Sequence, residues 1–253
     1  MNTILITGAS SGFGRETART FLDRGWAVIA TMRQPRDDLL PASEHLRILP
    51  LDVTAADSSA RAVERAGPVD VVVNNAGGGL MGALEGTSMA ATRELFELNT
   101  FGTMAVTQAL LPGFRKQGAG VIVNISSAVT LKPLPLLSAY TASKAAVEAF
   151  SADLALEVEP FGIRVHWVLP GRAPETSFGA TARERSKTGI PEAYADWAKR
   201  TFSAAAPSSD VTTAGDVAQA IWQAVTDPSS PQRIAAGADA VALAGSPLTK
   251  GSS

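Results

Sequence analysis

A chain of 253 residues, 45% apolar and 18% charged, has the composition of a globular protein with a sizeable core. Its formal charge of −2 gives no pull toward nucleic acid or an anionic membrane, and no uncharged apolar run is long enough to cross a bilayer. It has no cysteine, which excludes disulfides and thiolate metal sites, and its two histidines, His45 and His166, lack ligand-like spacing and read as structural, so no metal site is expected.

The first residues run straight into a glycine loop and leave no room for a signal peptide, so a cytoplasmic setting is expected. Thr3 to Thr7 is a short β-branched run and reads as a buried strand. It leads into Thr7-Gly8-Ala9-Ser10-Ser11-Gly12-Phe13-Gly14, then a helical pattern with Ala18, Phe21 and Leu22 on one side and Gly25 as its stop. Strand, glycine loop and helix together form the setting of a nucleotide-binding turn: glycine lets the backbone approach a pyrophosphate, and the helix start offers unpaired N–H groups and a positive dipole end.

Ala27 to Thr31 is the second strand, and its end bears on cofactor choice. An acidic residue there binds the ribose 2′-hydroxyl of NAD, whereas a nearby Arg accommodates the 2′-phosphate of NADP. The chain has Met32-Arg33, with Arg36 close behind and Asp37 and Asp38 placed farther on in the loop. NADP(H) is therefore the expected cofactor. A third strand, Leu46 to Leu51, ends in Asp52-Val53, and a polar helix is expected over 55–66 before Gly67-Pro68. Val69 to Val73 is a continuous apolar run, which suits a strand buried on both faces of a parallel sheet. It ends in Asn74-Asn75-Ala76-Gly77-Gly78-Gly79, at the strand end where ligands of open α/β sheets bind.

Thr87 to Gln117 reads as helix, broken near Asn99, whose side chain competes for backbone groups. Val121 to Ile125 is the fifth strand, closed by Ser126-Ser127, and a Leu- and Pro-rich loop over 129–137 follows. Next comes Tyr140-Thr141-Ala142-Ser143-Lys144. Tyr140 and Lys144 share one face of a helix, one turn apart, and Val147, Phe150, Leu154 and Val158 continue it toward the sheet. Taken alone, such a pair is usually a packed ring and a solvated charge; in a site, the cation would lower the phenol's pKa and make it a proton donor near neutral pH.

The helix stops near Pro160-Phe161-Gly162, and Ile163 to Leu169 is the sixth strand, followed by Pro170-Gly171. The stretch 172–209, with Phe178, Tyr194, Trp197 and Phe202, carries helical patterns without a strand and is a candidate substrate lid. Thr213-Ala214-Gly215-Asp216 opens another helix with a capping-box start. Gln232 to Ala236 is a candidate seventh strand, and the polar tail over 245–253 is expected to fray. No repeat or interior linker interrupts 1–253, so one domain is expected.

In this order and spacing, Thr7-Gly8-xxx-Gly12-x-Gly14, Asn74-Asn75-Ala76-Gly77, Asn99, Ser127, Tyr140-xxx-Lys144 and Pro170-Gly171 resemble the short-chain dehydrogenase/reductases of about this length, over roughly residues 3 to 240. The resemblance implies a doubly wound, Rossmann-type α/β fold with seven parallel strands in the order 3-2-1-4-5-6-7. It implies Tyr140 as general acid in reduction and base in oxidation, Lys144 as lowering its pKa and binding the nicotinamide ribose, Ser127 on the substrate carbonyl, and Asn99 holding a water linked to Lys144. It also implies that Gly8, Ser10, Ser11, Gly12, Phe13, Gly14, Arg33, Asp52, Val53, Asn75, Ala76, Gly77, Pro170 and Gly171 bind the cofactor. The acidic position of NAD users is Met32 here, and the basic position of NADP users is Arg33.

Three departures stand out. Thr130 replaces a Gly common three residues after the Ser; the usual Thr after Pro-Gly falls one position before Thr176; and the chain ends early after Arg233-Ile234-Ala235-Ala236-Gly237. The expected partners are a small carbonyl or alcohol substrate, apolar by its lining of Val129, Leu131, Leu134, Leu137, Phe178, Trp197 and Phe202, and a second copy in a dimer or tetramer packed through the helix from Tyr140. A non-catalytic NADP(H) sensor, or a sugar-nucleotide epimerase or dehydratase, is the competing reading. The intact Ser127, Tyr140, Lys144 and Asn99 disfavour the sensor; the short chain and the glycine spacing disfavour the epimerase.

Overall fold

Alternation decides how the strands pack. In β1 (Thr3–Ile6), Ile4 and Ile6 enter one core and Leu5 the other. In β4 (Val71–Asn74) Val71 and Val73 part from Val72 in the same way, and in β5 (Gly120–Ile125) Val121, Val123 and Ile125 part from Ile122. Each strand is thus apolar on both faces, which suits a parallel sheet covered by helices on both sides. The computed structural model describes residues 1–176, 179, 182, 190–204 and 210–245, with 201–204 described by backbone alone. Its described strands add β2 (Ala27–Met32), β3 (Leu46–Pro50), β6 (Ile163–Pro170) and β7 (Arg233–Ala236). They form one seven-stranded sheet in the order β3-β2-β1-β4-β5-β6-β7, every pairing parallel, as expected.

Helix α1 (Gly12–Asp23) covers one face through Thr17, Ala18 and Phe21, and Gly25 at φ 78° takes the left-handed turn after its end. Helix α2 is Ser58–Ala66. The expected long helix is two, α3 (Met89–Phe96) and α4 (Gly102–Gln117), joined by a π-turn over Glu97–Phe101 that contains Asn99. Helix α5 (Ser138–Val158) begins two residues before Tyr140 and packs Leu154, Ala155 and Val158 into the second core; a 3₁₀ turn at Glu159–Phe161 and Gly162 end it. Beyond β6 lie α6 (Glu192–Ala204), α7 (Ala214–Thr226) and α8 (Ala238–Gly245). The expected capping box is present: Thr213 accepts from Asp216 N–H, and the Asp216 carboxylate accepts from Thr213 N–H at 2.8 Å. Among the described residues no helix is long and apolar enough to cross a membrane.

His166 is buried, with Arg164 Nη1 3.1 Å from one ring nitrogen and Pro231 O 3.0 Å from the other, and burial lowers its pKa. Of the tail expected to fray over 245–253, Gly245 ends α8, and 246–253 lie outside the described residues, as does Phe178.

Candidate active site

The carboxyl ends of β1, β4 and β5 meet where the chain reverses direction across the sheet, the place an α/β fold leaves a crevice. Asn75 binds two of these ends together. Its Nδ2 donates to Thr7 O at 2.9 Å and Gly8 O at 3.1 Å, and its N–H, like that of Ala76, donates to Thr7 Oγ1 at 2.9 Å. Gly8 has a φ of +67°, and a Cβ there would stand 3.0 Å from Ala76 Cα. A Cβ on Gly14 would stand 2.5 Å from Asn75 Nδ2 and 2.6 Å from Gly8 O. The glycine loop is therefore folded flush against the β4 turn, with backbone where side chains would be.

Helix α1 starts from this loop. Ser11 makes no side-chain cap, and no acidic residue stands in the first turn, so its donors and dipole face outward unopposed. A cavity of about 410 Å³ opens there, lined by Ser11, Gly12, Arg15, Glu16, Glu175, Thr176 and Ala214. These features fit a dinucleotide pyrophosphate. Ser10 is exposed and Phe13 half-buried beside the loop. Arg33 is exposed past the end of β2, while Arg36 is paired with Asp38 at 2.5 Å. Hydrogen bonds from Thr54 hold the Asp52 carboxyl below its usual range, with the Arg33 charge a smaller help. Val53 packs where a side chain on Gly102 would be, 2.7 Å from that Cβ position.

Tyr140, Lys144 and Ser127 come together on the neighbouring side. All three are buried. Val129 N–H donates to Ser127 Oγ at 3.4 Å, and the Ser127 hydroxyl hydrogen-bonds the Tyr140 phenol. Lys144 Nζ donates to Ile125 O at 2.8 Å. Thr130, the departure from the family's Gly, donates its hydroxyl to Ser127 O at 2.8 Å and so braces the serine's own backbone.

Asn99 does more than kink a helix. Its side chain pairs with one peptide, accepting from Gly78 N–H at 2.8 Å and donating to Gly78 O at 2.9 Å, and it donates to Ser143 Oγ at 3.0 Å. Ser143 in turn donates to Tyr140 O at 2.8 Å, and Thr100 donates to Ser143 O at 3.0 Å. The π-turn is thereby tied to both the β4 loop and α5, the helix that carries Tyr140 and Lys144. Ser143 and Thr7 were absent from the expected site, although both lie inside the motifs that defined it. Gly77 is exposed, and a Cβ on it would stand 3.1 Å from Asn99 Oδ1 and 3.3 Å from Lys144 Nζ.

The apolar wall also differs from expectation. Val129 and Leu137, expected to line the substrate, pack against a cluster of Tyr140 with Leu80 and Leu95, which the motifs did not mark. Leu131 is half-buried, and Leu134 and Trp197 are exposed; Phe178 and the Phe202 side chain lie outside the described residues. Within 172–209, α6 rests Ala198 and Tyr194 on Met81, Ala83 and Leu136.

The electrostatics depart from the expected lowering of the phenol. Burial pushes Tyr140 up to about 12, opposed only by the Ser127 hydrogen bond. Burial also pushes Lys144 down to about 8. Desolvation disfavours the charged form of both groups, and Lys144 directs a proton at a backbone carbonyl. Both groups hold their protons at pH 7. The unfolded chain binds Lys144's proton up to its ordinary 10.5, so folding releases that proton between about 8 and 10.5. Stability should therefore rise with pH across that window, by on the order of 3 kcal/mol in all. Tyr140 acts oppositely from 10 to about 12. Urea unfolding at pH 7 to 9.5 should show the rise in the wild type and a flatter profile in Lys144→Met; parallel profiles would contradict the assignment.

The family model for short chain dehydrogenases matches residues 2–187. A 3-ketodihydrosphingosine reductase from Bacteroides thetaiotaomicron is 42% identical over 197 residues, covering 76% of this chain and 71% of that protein. The crystal structure of a short-chain dehydrogenase from Streptomyces avermitilis superposes with a TM-score of 0.83 at 38% identity, over 96% of this chain and 92% of that one. A short chain dehydrogenase from Burkholderia cenocepacia J2315, solved in complex with NADP, superposes with a TM-score of 0.77 at 26% identity, over 96% of this chain and 91% of that one.

Proposed function

The chain belongs to the short-chain dehydrogenase/reductase family, and from that premise we propose that it interconverts a ketone or aldehyde and an alcohol using NADP(H). The observation that carries this reading is the buried Ser127–Tyr140 hydroxyl pair beside Lys144, at the same strand ends as the glycine cradle. Bound NADPH supplies the hydride for a carbonyl carbon. Ser127 and Tyr140 hydrogen-bond the carbonyl oxygen as negative charge gathers there, and Tyr140 gives it a proton. A phenol pushed up to about 12 carries its proton at neutral pH, the form that a general acid needs. Lys144 stays charged at pH 7 and has N–H groups beyond the one bound to Ile125 O with which to hold the nicotinamide ribose.

The pyrophosphate would lie on the Gly8–Gly14 loop and the start of α1, with Asp52, Val53, Asn75, Ala76 and Gly77 along the rest of the cofactor and Pro170-Gly171 near its nicotinamide end. Arg33 would meet the 2′-phosphate, a reading supported by its exposure beyond β2 and by the NADP held in the Burkholderia neighbour. The apolar packing of Leu80, Leu95, Val129 and Leu137 around Tyr140 supports a hydrophobic carbonyl substrate, and the Bacteroides relative is named as a reductase of a keto compound. Helix α6 would cover it as a lid.

The test is NADPH oxidation across a panel of aliphatic and aromatic ketones and aldehydes. Arg33→Glu should raise KM for NADPH at least tenfold with little change in kcat and improve use of NADH. A wild type that uses NADH equally well would overturn the cofactor reading, and one that oxidises NADPH with no carbonyl would overturn the activity.

A further inference from the structure

The turn after β6 is held by two side chains that no motif marked. The β6–β7 ladder ends at Pro170 paired with Ala236, and both chains leave the sheet there. Thr212, fully buried, sits in the fork. Its N–H donates to Arg172 O at 2.8 Å, and its Oγ1 accepts from Gly171 N–H at 2.9 Å. Its single hydroxyl proton faces Ala236 O at 2.9 Å and Asp239 Oδ1 at 2.7 Å. The other Asp239 oxygen accepts from Arg172 N–H at 2.6 Å. Both backbone donors that follow the strand are thus held, one by a hydroxyl and one by a carboxylate.

Space has been left for this arrangement. A Cβ on Gly171 would lie 2.2 Å from Asp239 Oδ1, and one on Gly237, already at φ +96°, would lie 2.0 Å from Thr212 Oγ1. Asp239 stands in the first turn of α8, where a carboxylate ordinarily serves its own helix start; here both oxygens reach across to another segment. The held turn borders the reaction site. Ser126 N–H donates to Val168 O at 2.8 Å, so the segment that carries Ser127 and the one that carries Gly171 leave the sheet side by side.

We propose that Asp239, acting with Thr212, is a positioning residue that fixes the Pro170–Gly171–Arg172 turn against the nicotinamide end of the cofactor. This rests on the NADP(H) reading above. A charged acceptor makes the stronger hydrogen bond to Arg172 N–H, so the short helix α8 becomes part of the site's frame. Helix α8 thus serves the site through Asp239.

The experiment compares two probes on the full-length chain. NADPH spans the whole site, whereas adenosine 2′,5′-bisphosphate occupies only the adenine end. Asp239→Ala should weaken NADPH binding at least tenfold and lower kcat, while adenosine 2′,5′-bisphosphate binds within twofold of wild type. Asp239→Asn, which keeps an acceptor oxygen, should recover most of the loss. Thr212→Val, near in shape and lacking the acceptor for Gly171 N–H, should repeat the pattern of Asp239→Ala if that variant folds poorly. Wild-type NADPH affinity and kcat in Asp239→Ala, equal loss of both probes, or an Asn variant no better than Ala would each overturn the proposal. A wild type that binds neither probe would overturn the NADP(H) reading itself, a result distinct from a wild type that binds both while Asp239→Ala matches it.

Discussion

Tyr140→Phe should lower kcat for carbonyl reduction by about 10³-fold or more and leave NADPH affinity within about twofold. The substitution removes one oxygen and keeps the ring, so the packing with Leu80, Leu95, Val129 and Leu137 survives. The fold loses one hydrogen bond, to Ser127, worth about 1 kcal/mol. Chemistry loses more, because Ser127 alone can polarise the carbonyl, but its aliphatic hydroxyl is a far weaker acid than a phenol and does not release its proton. Ser127→Ala should act differently. It leaves the acid in place and removes one of two hydrogen bonds to the developing oxyanion, a loss of about 10²-fold in kcat. It also removes the one influence that lowers the Tyr140 pKa, so any alkaline limb of the rate profile should move to still higher pH. Steady-state rates of both variants beside direct NADPH titrations test this. A Tyr140→Phe enzyme keeping a tenth of wild-type turnover would show that the proton comes from elsewhere.

Much of this site was readable because its parts are local. The central strands follow from two-sided apolar runs such as Val71-Val72-Val73, and the strand order was expected from the resemblance. Tyr140 and Lys144 were legible as one helical face. Less legible was what depends on desolvation. The phenol was expected to be acidified by the cation beside it, yet both groups are buried, and burial raises the Tyr140 pKa and lowers that of Lys144. Spacing fixes proximity on a helix, whereas a pKa depends on everything packed around it. Asn99 shows the same limit. Its poor helix propensity suggested a break, but only the fold reveals that the break is a π-turn whose side chain grips Gly78 and Ser143. Asp239 and Thr212 escaped notice because they meet Gly171 from distant parts of the chain, and no local pattern records such a meeting.

Gly14→Ala should abolish measurable NADPH binding, by at least about 10²-fold, and cost roughly 2–4 kcal/mol of stability. The reason is space alone, since Gly14 is not among the glycines with positive φ. Its added methyl would stand 2.5 Å from Asn75 Nδ2 and 2.6 Å from Gly8 O. The first neighbour ends a side chain, but one already bound to Thr7 O and Gly8 O; the second is backbone. Relief therefore means breaking the brace between the β1 and β4 turns or moving the glycine loop off the start of α1. Either displaces the donors that would face a pyrophosphate. Gly113→Ala is the matching control: it lies in α4 with nothing within 4 Å of its Cβ position, and it should be neutral or stabilise by up to about 1 kcal/mol. Thermal melts and NADPH titrations of the two variants separate a local clash from the general effect of replacing glycine. A Gly14→Ala protein with wild-type melting and wild-type affinity would mean that the loop can yield, and that the close fit of Gly14 against Asn75 is not what shapes the cradle.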